Sequence, residues 1–199
     1  MITAETIAIT AHRDYPDRAA FLHGLDNLKA KTYYLGGARG GDTDALEYLA
    51  RTQPTSQRIV VVPNRLIDQP REAIPIISRD ATRVIELRNA GPDRYQLRNQ
   101  YMVDNSQHVA AFYDNRGSGG TFNTIRYAER TGKPVSTTVL FEQDIYAYLD
   151  KTPEEFRLFM DNARAGGVQL SNIKEIIVNY YLVKVGYVPS SVVDTLQGW

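Results

Sequence analysis

Two glycine-rich stretches carry the residue types best suited to holding an anion. They are Gly36-Gly37-Ala38-Arg39-Gly40-Gly41-Asp42 and Gly117-Ser118-Gly119-Gly120-Thr121. Glycine lets the backbone come close to a ligand and turn successive N–H groups toward it. Arg39 supplies a cation within the first stretch, and Thr121 a hydroxyl in the second. A single glycine turn would signify turn chemistry alone; two of them, each between a strand and a helix, point to a phosphate-bearing ligand. Neither is a P-loop, since GxxxxGK[ST] occurs nowhere, and no GxGxxG with a suitably placed acid supports dinucleotide redox chemistry. The chain has no cysteine, which removes disulfides, thiol nucleophiles, Fe–S clusters and zinc ribbons. His12, His23 and His108 lack metal-site spacing, although His12 lies where it can touch a ligand. With no GxSxG elbow either, catalysis would fall to a carboxylate. Asp42 and Asp114 are the candidates, and Asp42 reads equally well as a helix cap.

The elements around these turns alternate, short β-branched runs with longer helical stretches, which is the mark of a parallel α/β sheet. Strands are expected at Thr6–Thr10, Thr32–Leu35, Arg58–Val62, Val109–Tyr113 and Pro134–Val139, and helices at about 17–29, 43–51, 78–89, 93–106 and from Thr121 to Arg130. The fold class that follows is a Rossmann-like, three-layer α/β/α sandwich with a mostly parallel sheet. Both glycine stretches follow strands, where ligands bind in such sheets. Domain boundaries are expected at 1–140 and 141–199, the second being a helical extension. Its start, Thr152-Pro153-Glu154-Glu155, is a capping box with proline at the first helical position. Further on, Ile173, Ile176, Ile177, Tyr180, Tyr181 and Leu182 form a wide apolar stripe, fit to pack on the sheet domain or to join subunits. Self-association into a homo-oligomer is expected. Tyr33, Tyr34, Tyr48, Tyr127, Tyr180 and Tyr181 fall at core or interface positions.

The whole chain has 199 residues, 23 basic and 23 acidic, and is 43% hydrophobic, a globular composition. Without a signal peptide or a long apolar run, it reads as cytoplasmic, away from membranes. The neutral total speaks against nucleic acid as a partner. Charge is nonetheless uneven: every base between 58 and 102 is arginine, at 58, 65, 71, 79, 83, 88, 94 and 98. Arginine without lysine suits bidentate recognition of a phosphate or carboxylate. No cofactor is called for.

The first glycine stretch, with the Ala/Leu-rich helix after it, resembles the GGARGxD signature of the YspA-like branch of the SLOG superfamily, which also holds DprA and the LOG "lysine decarboxylase-like" proteins. Thr10-Ala11-His12-Arg13-Asp14 is similar to that branch's TGxRD, Arg98-Asn99-Gln100-Tyr101-Met102 to its RNxxM helix, and Gly117–Thr121 to its GGxGT loop. The likeness spans about residues 5–140. It implies a Rossmannoid crevice holding a nucleotide or nucleotide-derived ligand, sensed or processed. By the same likeness, Gly36, Gly37, Ala38, Arg39, Gly40 and Asp42 of the first loop and Gly117 to Thr121 of the second bind phosphate. Arg98 and Asn99 complete the pocket, and Arg13 enters from the first strand. LOG enzymes cleave nucleoside monophosphates with a glutamate three residues after the threonine; here that position is Thr124. Binding is therefore favoured over phosphoribohydrolase activity, and DprA-like single-stranded DNA binding is ranked last.

Overall fold

The computed structural model describes residues 1–13, 15, 18–113, 118–139, 149, 151–184, 188 and 190–199. It divides into two compact units, Met1–Leu140 and Phe141–Trp199. The first contains strands β1 (Ile2–Ala11), β2 (Leu28–Leu35), β3 (Gln57–Val62), β4 (Arg83–Glu86), β5 (His108–Tyr113) and β6 (Val135–Val139). Its helices are α1 (Arg18–Asp26), α2 (Gly41–Thr52), α3 (Ala73–Asp80), α4 (Arg94–Asp104) and α5 (Gly119–Arg130). The strands form one sheet in the order β4-β3-β2-β1-β5-β6, with every neighbouring pair parallel. This is the Rossmann-like α/β fold.

Side-chain alternation along the strands supplies both helical layers. Ala8, Ile59, Val61 and Val109 meet Met102 and Val103 of α4 and Ala128 of α5 in one buried cluster. The opposite face carries Phe112 against Phe21 of α1, with ring centroids 4.8 Å apart. Helices α1, α2 and α3 contact one another in series, and α4 contacts α5. The chain thus winds from β1 outward to β4 with its helices on one face, then crosses to β5 and continues on the other. Parallel crossovers are right-handed, so this reversal places the connections after β1 and β5 on opposite faces. A crevice must open between them at the strands' carboxyl ends.

The sheet differs from expectation in one strand. The helix expected at 78–89 stops at Asp80, and Arg83–Glu86 forms β4 instead, beside β3. A short Val-Ile run cannot be told from helix by periodicity alone, and open hydrogen-bonding groups along β3 decide for a strand. For the same reason β2 begins at Leu28, where the expected first helix still ran: Leu28 and Ala30 pair with Ile2 and Ala4 of a longer β1.

The second unit holds α6 (Pro153–Ala165), α7 (Leu170–Lys184) and α8 (Ser190–Gln197). Phe156, Met160, Ile173, Ile177, Tyr181, Val192 and Leu196 form its core. The stripe on α7 divides: Ile173, Ile177 and Tyr181 turn inward, whereas Ile176, Tyr180 and Leu182 are exposed, so Tyr180 is no core residue here. The start of α6 is the expected capping box. The Glu155 N–H donates to the Thr152 hydroxyl at 3.2 Å, and the Thr152 N–H to Glu155 Oε2 at 2.7 Å. Trp199 meets Phe156 edge-on at 6.1 Å and is the single tryptophan, so its fluorescence reports this unit. Thr152→Ala is expected to lower the stability seen by Trp199 fluorescence in urea by about 1 kcal/mol; an unchanged midpoint would show that the cap contributes nothing.

Candidate functional site

A cleft of about 390 Å³ opens at the carboxyl ends of β1, β2 and β5. The last residues of β1 and the two that follow line it from Ile9 to Arg13, together with Gly36, Ala38 and Asp42 of the first glycine loop. Tyr95, Arg98, Asn99 and Met102 of α4 and Gly119, Gly120 and Thr121 of α5 complete the wall. Thr10, His12, Asp42, Arg98 and Thr121 are each more than nine-tenths buried. So many buried polar side chains converging on one hollow is what a polar ligand site requires.

Arg98 sits at the centre. It is 8% exposed, and its Nη1 donates to the Gly36 carbonyl and lies 3.6 Å from Asp42 Oδ2. Its Nε–H is buried without a hydrogen-bond partner among the described residues. Burial draws the guanidinium below its usual value, opposed by Asp42, but arginine stays charged. Asp42 accepts the Ala38 N–H at 3.1 Å. Burial pushes its carboxyl up, while Arg98 and the Ala38 N–H hold it down. Asp42 is not the helix cap: Gly40 is, and Asp42 lies within the first turn of α2. Asp42 therefore occupies the Ala38 N–H of the first loop.

The glycines of that loop serve this lock. A side chain at Gly36 would collide with the Arg98 guanidinium, and one at Gly40 with the Arg13 carbonyl. Gly40, at φ +78°, also adopts a backbone conformation that only glycine takes freely. Gly37 backs onto Val60, Val62 and Ile77, away from the cleft lining. Arg39 is exposed, 4.0 Å from Glu72, and does not line the cleft.

The second loop is described from Ser118 onward. Ser118 caps α5 without a side-chain hydrogen bond. Among the described residues, nothing lies within 4 Å of where a side chain on Gly119 would begin, and at Gly120 only the Asn99 amide approaches, at 3.8 Å. The first turn of α5 thus offers its N–H groups, which have no intrahelical acceptor, toward the cleft beside the Thr121 hydroxyl. Asn99 Nδ2 donates to the Gly120 carbonyl at 3.4 Å, tying α4 to this turn. Thr124 donates to the same carbonyl at 2.8 Å. Gly117 and Asp114 lie outside the described residues. Glu129 is at the far end of α5, 3.5 Å from Arg126.

His12 stacks on Tyr113 with centroids 5.4 Å apart, so its ring is held at the cleft floor. Tyr95 escaped the sequence reading. The signal was present: positions 95, 98, 99 and 102 recur at helical spacing and share one face of α4. Of the eight arginines, Arg58 is structural, donating to the carbonyls of Asp80 at 2.9 Å and Ser56 at 2.8 Å. Among the described residues, no helix is long and apolar enough to cross a membrane.

No protein-family model matches the chain, and no curated protein matches it significantly in sequence. One solved structure that does match is DNA processing protein A from Helicobacter pylori, described for its unique single-stranded DNA binding mode. The TM-score is 0.52 at 19% identity, over 90% of this chain and 81% of that one. The fold is thus similar to that of DprA. The expectation that the neutral total speaks against nucleic acid as a partner is corrected by this likeness, because a protein of similar fold is described as binding single-stranded DNA. Net charge is an average and conceals local bias. Here Arg13, Arg39, Arg65, Arg71 and Arg88 fall on the connections that follow β1 to β4, at the carboxyl edge of the sheet, and Arg94 opens α4.

Removing Arg98 would leave the Asp42 carboxylate buried with one N–H for support. Arg98→Met is expected to cost about 3 kcal/mol at pH 8. The Asp42 carboxyl then titrates still further above its unfolded value, so the stability gained from its protonated form is full below that unfolded value and is lost as pH rises through the folded one. The deficit relative to wild type should therefore shrink toward pH 5 in urea titrations. A deficit independent of pH would show that Arg98 does not hold the carboxylate.

Proposed function

We propose that this cleft binds a nucleotide or nucleotide-derived molecule through its phosphate, seated on the first turn of α5, as a SLOG-type binding or sensing module. The observation that carries the reading is the Arg98 guanidinium, which lines the cleft and whose buried Nε–H has no hydrogen-bond partner among the described residues. A donor left unsatisfied in the interior costs about 1–3 kcal/mol, which a ligand acceptor would recover. The N-terminus of α5, unobstructed at Gly119 and Gly120 among the described residues, supplies further donors and a favourable dipole for the same anion. The Thr121 hydroxyl completes the seat, with Thr10 and His12 below it.

Binding fits these residues better than hydrolysis of the N-glycosidic bond. Thr124 stands where a LOG-type enzyme has its glutamate, and its hydroxyl is spent on the Gly120 carbonyl. Asp42 is engaged by Arg98 and the Ala38 N–H. Neither is free to stabilise a developing sugar cation.

The likeness to a single-stranded DNA binding protein favours a second reading, in which the bound nucleotide is one unit of a strand. The arginines at the sheet's carboxyl edge would then follow the strand's backbone. The two readings differ in salt response, since a strand contacting several phosphates loses affinity steeply as salt rises and a single small anion less so.

Thermal-shift titration with nucleoside monophosphates, paired with anisotropy of a labelled oligothymidylate, tests both. Gly120→Asp places a carboxylate on the proposed phosphate seat, where there is room for it. At a ligand concentration one hundred times Kd, the wild type should gain about 2.7 kcal/mol and the variant nearly nothing. A wild type stabilised by no nucleotide and bound by no oligonucleotide, or a variant equal to it, would contradict the proposal.

A further inference from the structure

Helix α4 presents four residues to the cleft, and their burial is graded along its length. Met102 is 1% exposed and Arg98 8%, while Tyr95, at the helix's first turn, is 46% exposed. Tyr95 therefore stands at the mouth, with the cation one turn deeper. A large aromatic ring left half in water forgoes the stabilisation that burial would give it. The Arg94 guanidinium lies over this ring, 4.9 Å from its centroid. It covers one face of the ring, which leaves the other for stacking.

Tyr95 is also held at a set distance from the phosphate seat. It precedes Asn99 by four residues, about 6 Å along the axis, and Asn99 donates to the Gly120 carbonyl in the first turn of α5. A flat π surface and an anion-receiving helix end thus face one cleft at fixed separation. A ligand that uses both must carry a planar ring and a phosphate in one molecule.

Resting on the phosphate seat proposed above, we infer that Tyr95 is the platform on which the base of the bound nucleotide stacks, so that the cleft selects nucleoside phosphates over sugar phosphates and inorganic anions. Stacking is tolerant of base identity, because every base has a π face. Selection by Tyr95 therefore separates base-bearing ligands from base-less ones and ranks the bases only weakly. The cation above the far face of the ring strengthens the arrangement by holding the ring in place.

Calorimetry with adenosine monophosphate, adenosine and ribose 5-phosphate, on wild type, Tyr95→Ala, Tyr95→Phe and Gly120→Asp, tests this. The ring is half-exposed, so both Tyr95 variants should fold; their melting temperatures check it. Tyr95→Ala is expected to weaken adenosine monophosphate binding about tenfold and leave ribose 5-phosphate within about twofold, while Tyr95→Phe retains wild-type affinity. Equal wild-type affinity for adenosine monophosphate and ribose 5-phosphate would overturn the platform and leave the phosphate seat standing. So would equal losses of both ligands in Tyr95→Ala. Adenosine bound as tightly as its monophosphate, unaffected by Gly120→Asp, would overturn the seat while a Tyr95→Ala loss upheld the platform. Failure of all three ligands to bind the wild type would overturn both.

Discussion

One guanidinium fixes the carboxyl edge of this sheet. Arg98 reaches from α4 across the crevice to the Gly36 carbonyl and faces the Asp42 carboxylate, all three nearly or wholly out of water. A charge buried so deeply is tolerable only with a partner and hydrogen bonds. That constraint propagates outward. Position 36 has no room for a side chain, position 40 must let the loop close on the Arg13 backbone, and α2 must begin where its carboxylate can turn back toward Ala38. The lock joins the β2–α2 connection on one face of the sheet to α4 on the other. The cleft wall is therefore built from elements of both helical layers.

That lock also divides labour between the two glycine stretches. They look alike in sequence, both following strands and both preceding helices. In the first, Gly36 and Gly40 serve the close approach of protein to protein, and the Ala38 N–H is held by the chain's own carboxylate. In the second, Gly119, Gly120 and Thr121 line the cleft, and among the described residues none crowds the two glycines. The difference rests on Arg98 and Asp42, which lie 56 positions apart and meet only through the fold.

Much of the architecture was legible because strong local signals agree with the tertiary outcome. The apolar run at Ile59–Val62 suits a strand buried on both faces, and Thr152-Pro153-Glu154-Glu155 fixes a helix start by chemistry confined to four residues. What stayed hidden depended on partners distant in the chain. Arg83–Glu86 becomes a strand through β3, and the amino-terminal half of β1 through β2. The strand order, and with it the position of the crevice between β1 and β5, is a property of the crossovers and leaves no mark on any short segment. At the site, the glycines and Arg98 stood out by type, whereas Tyr95 was one of 13 tyrosines and distinguishable only by its spacing from Arg98. Charge misled most. A balance of 23 against 23 carries no information on where the arginines gather, and five of them lie on connections at one edge of the sheet, with Arg94 at the start of α4.

The central claim is that the open end of α5, with Arg98 beside it, receives an anion. Nuclear magnetic resonance of nitrogen-15-labelled protein titrated with inorganic phosphate tests it without assuming any base or sugar. The amide signals of Gly119, Gly120 and Thr121 should move together with the Arg98 Nε–H signal, along one saturable curve, while the Ala38 amide, already donating to Asp42, stays nearly still. Saturable shifts centred on Arg39 and Ala38, with the α5 amides and Arg98 unmoved, would contradict the account.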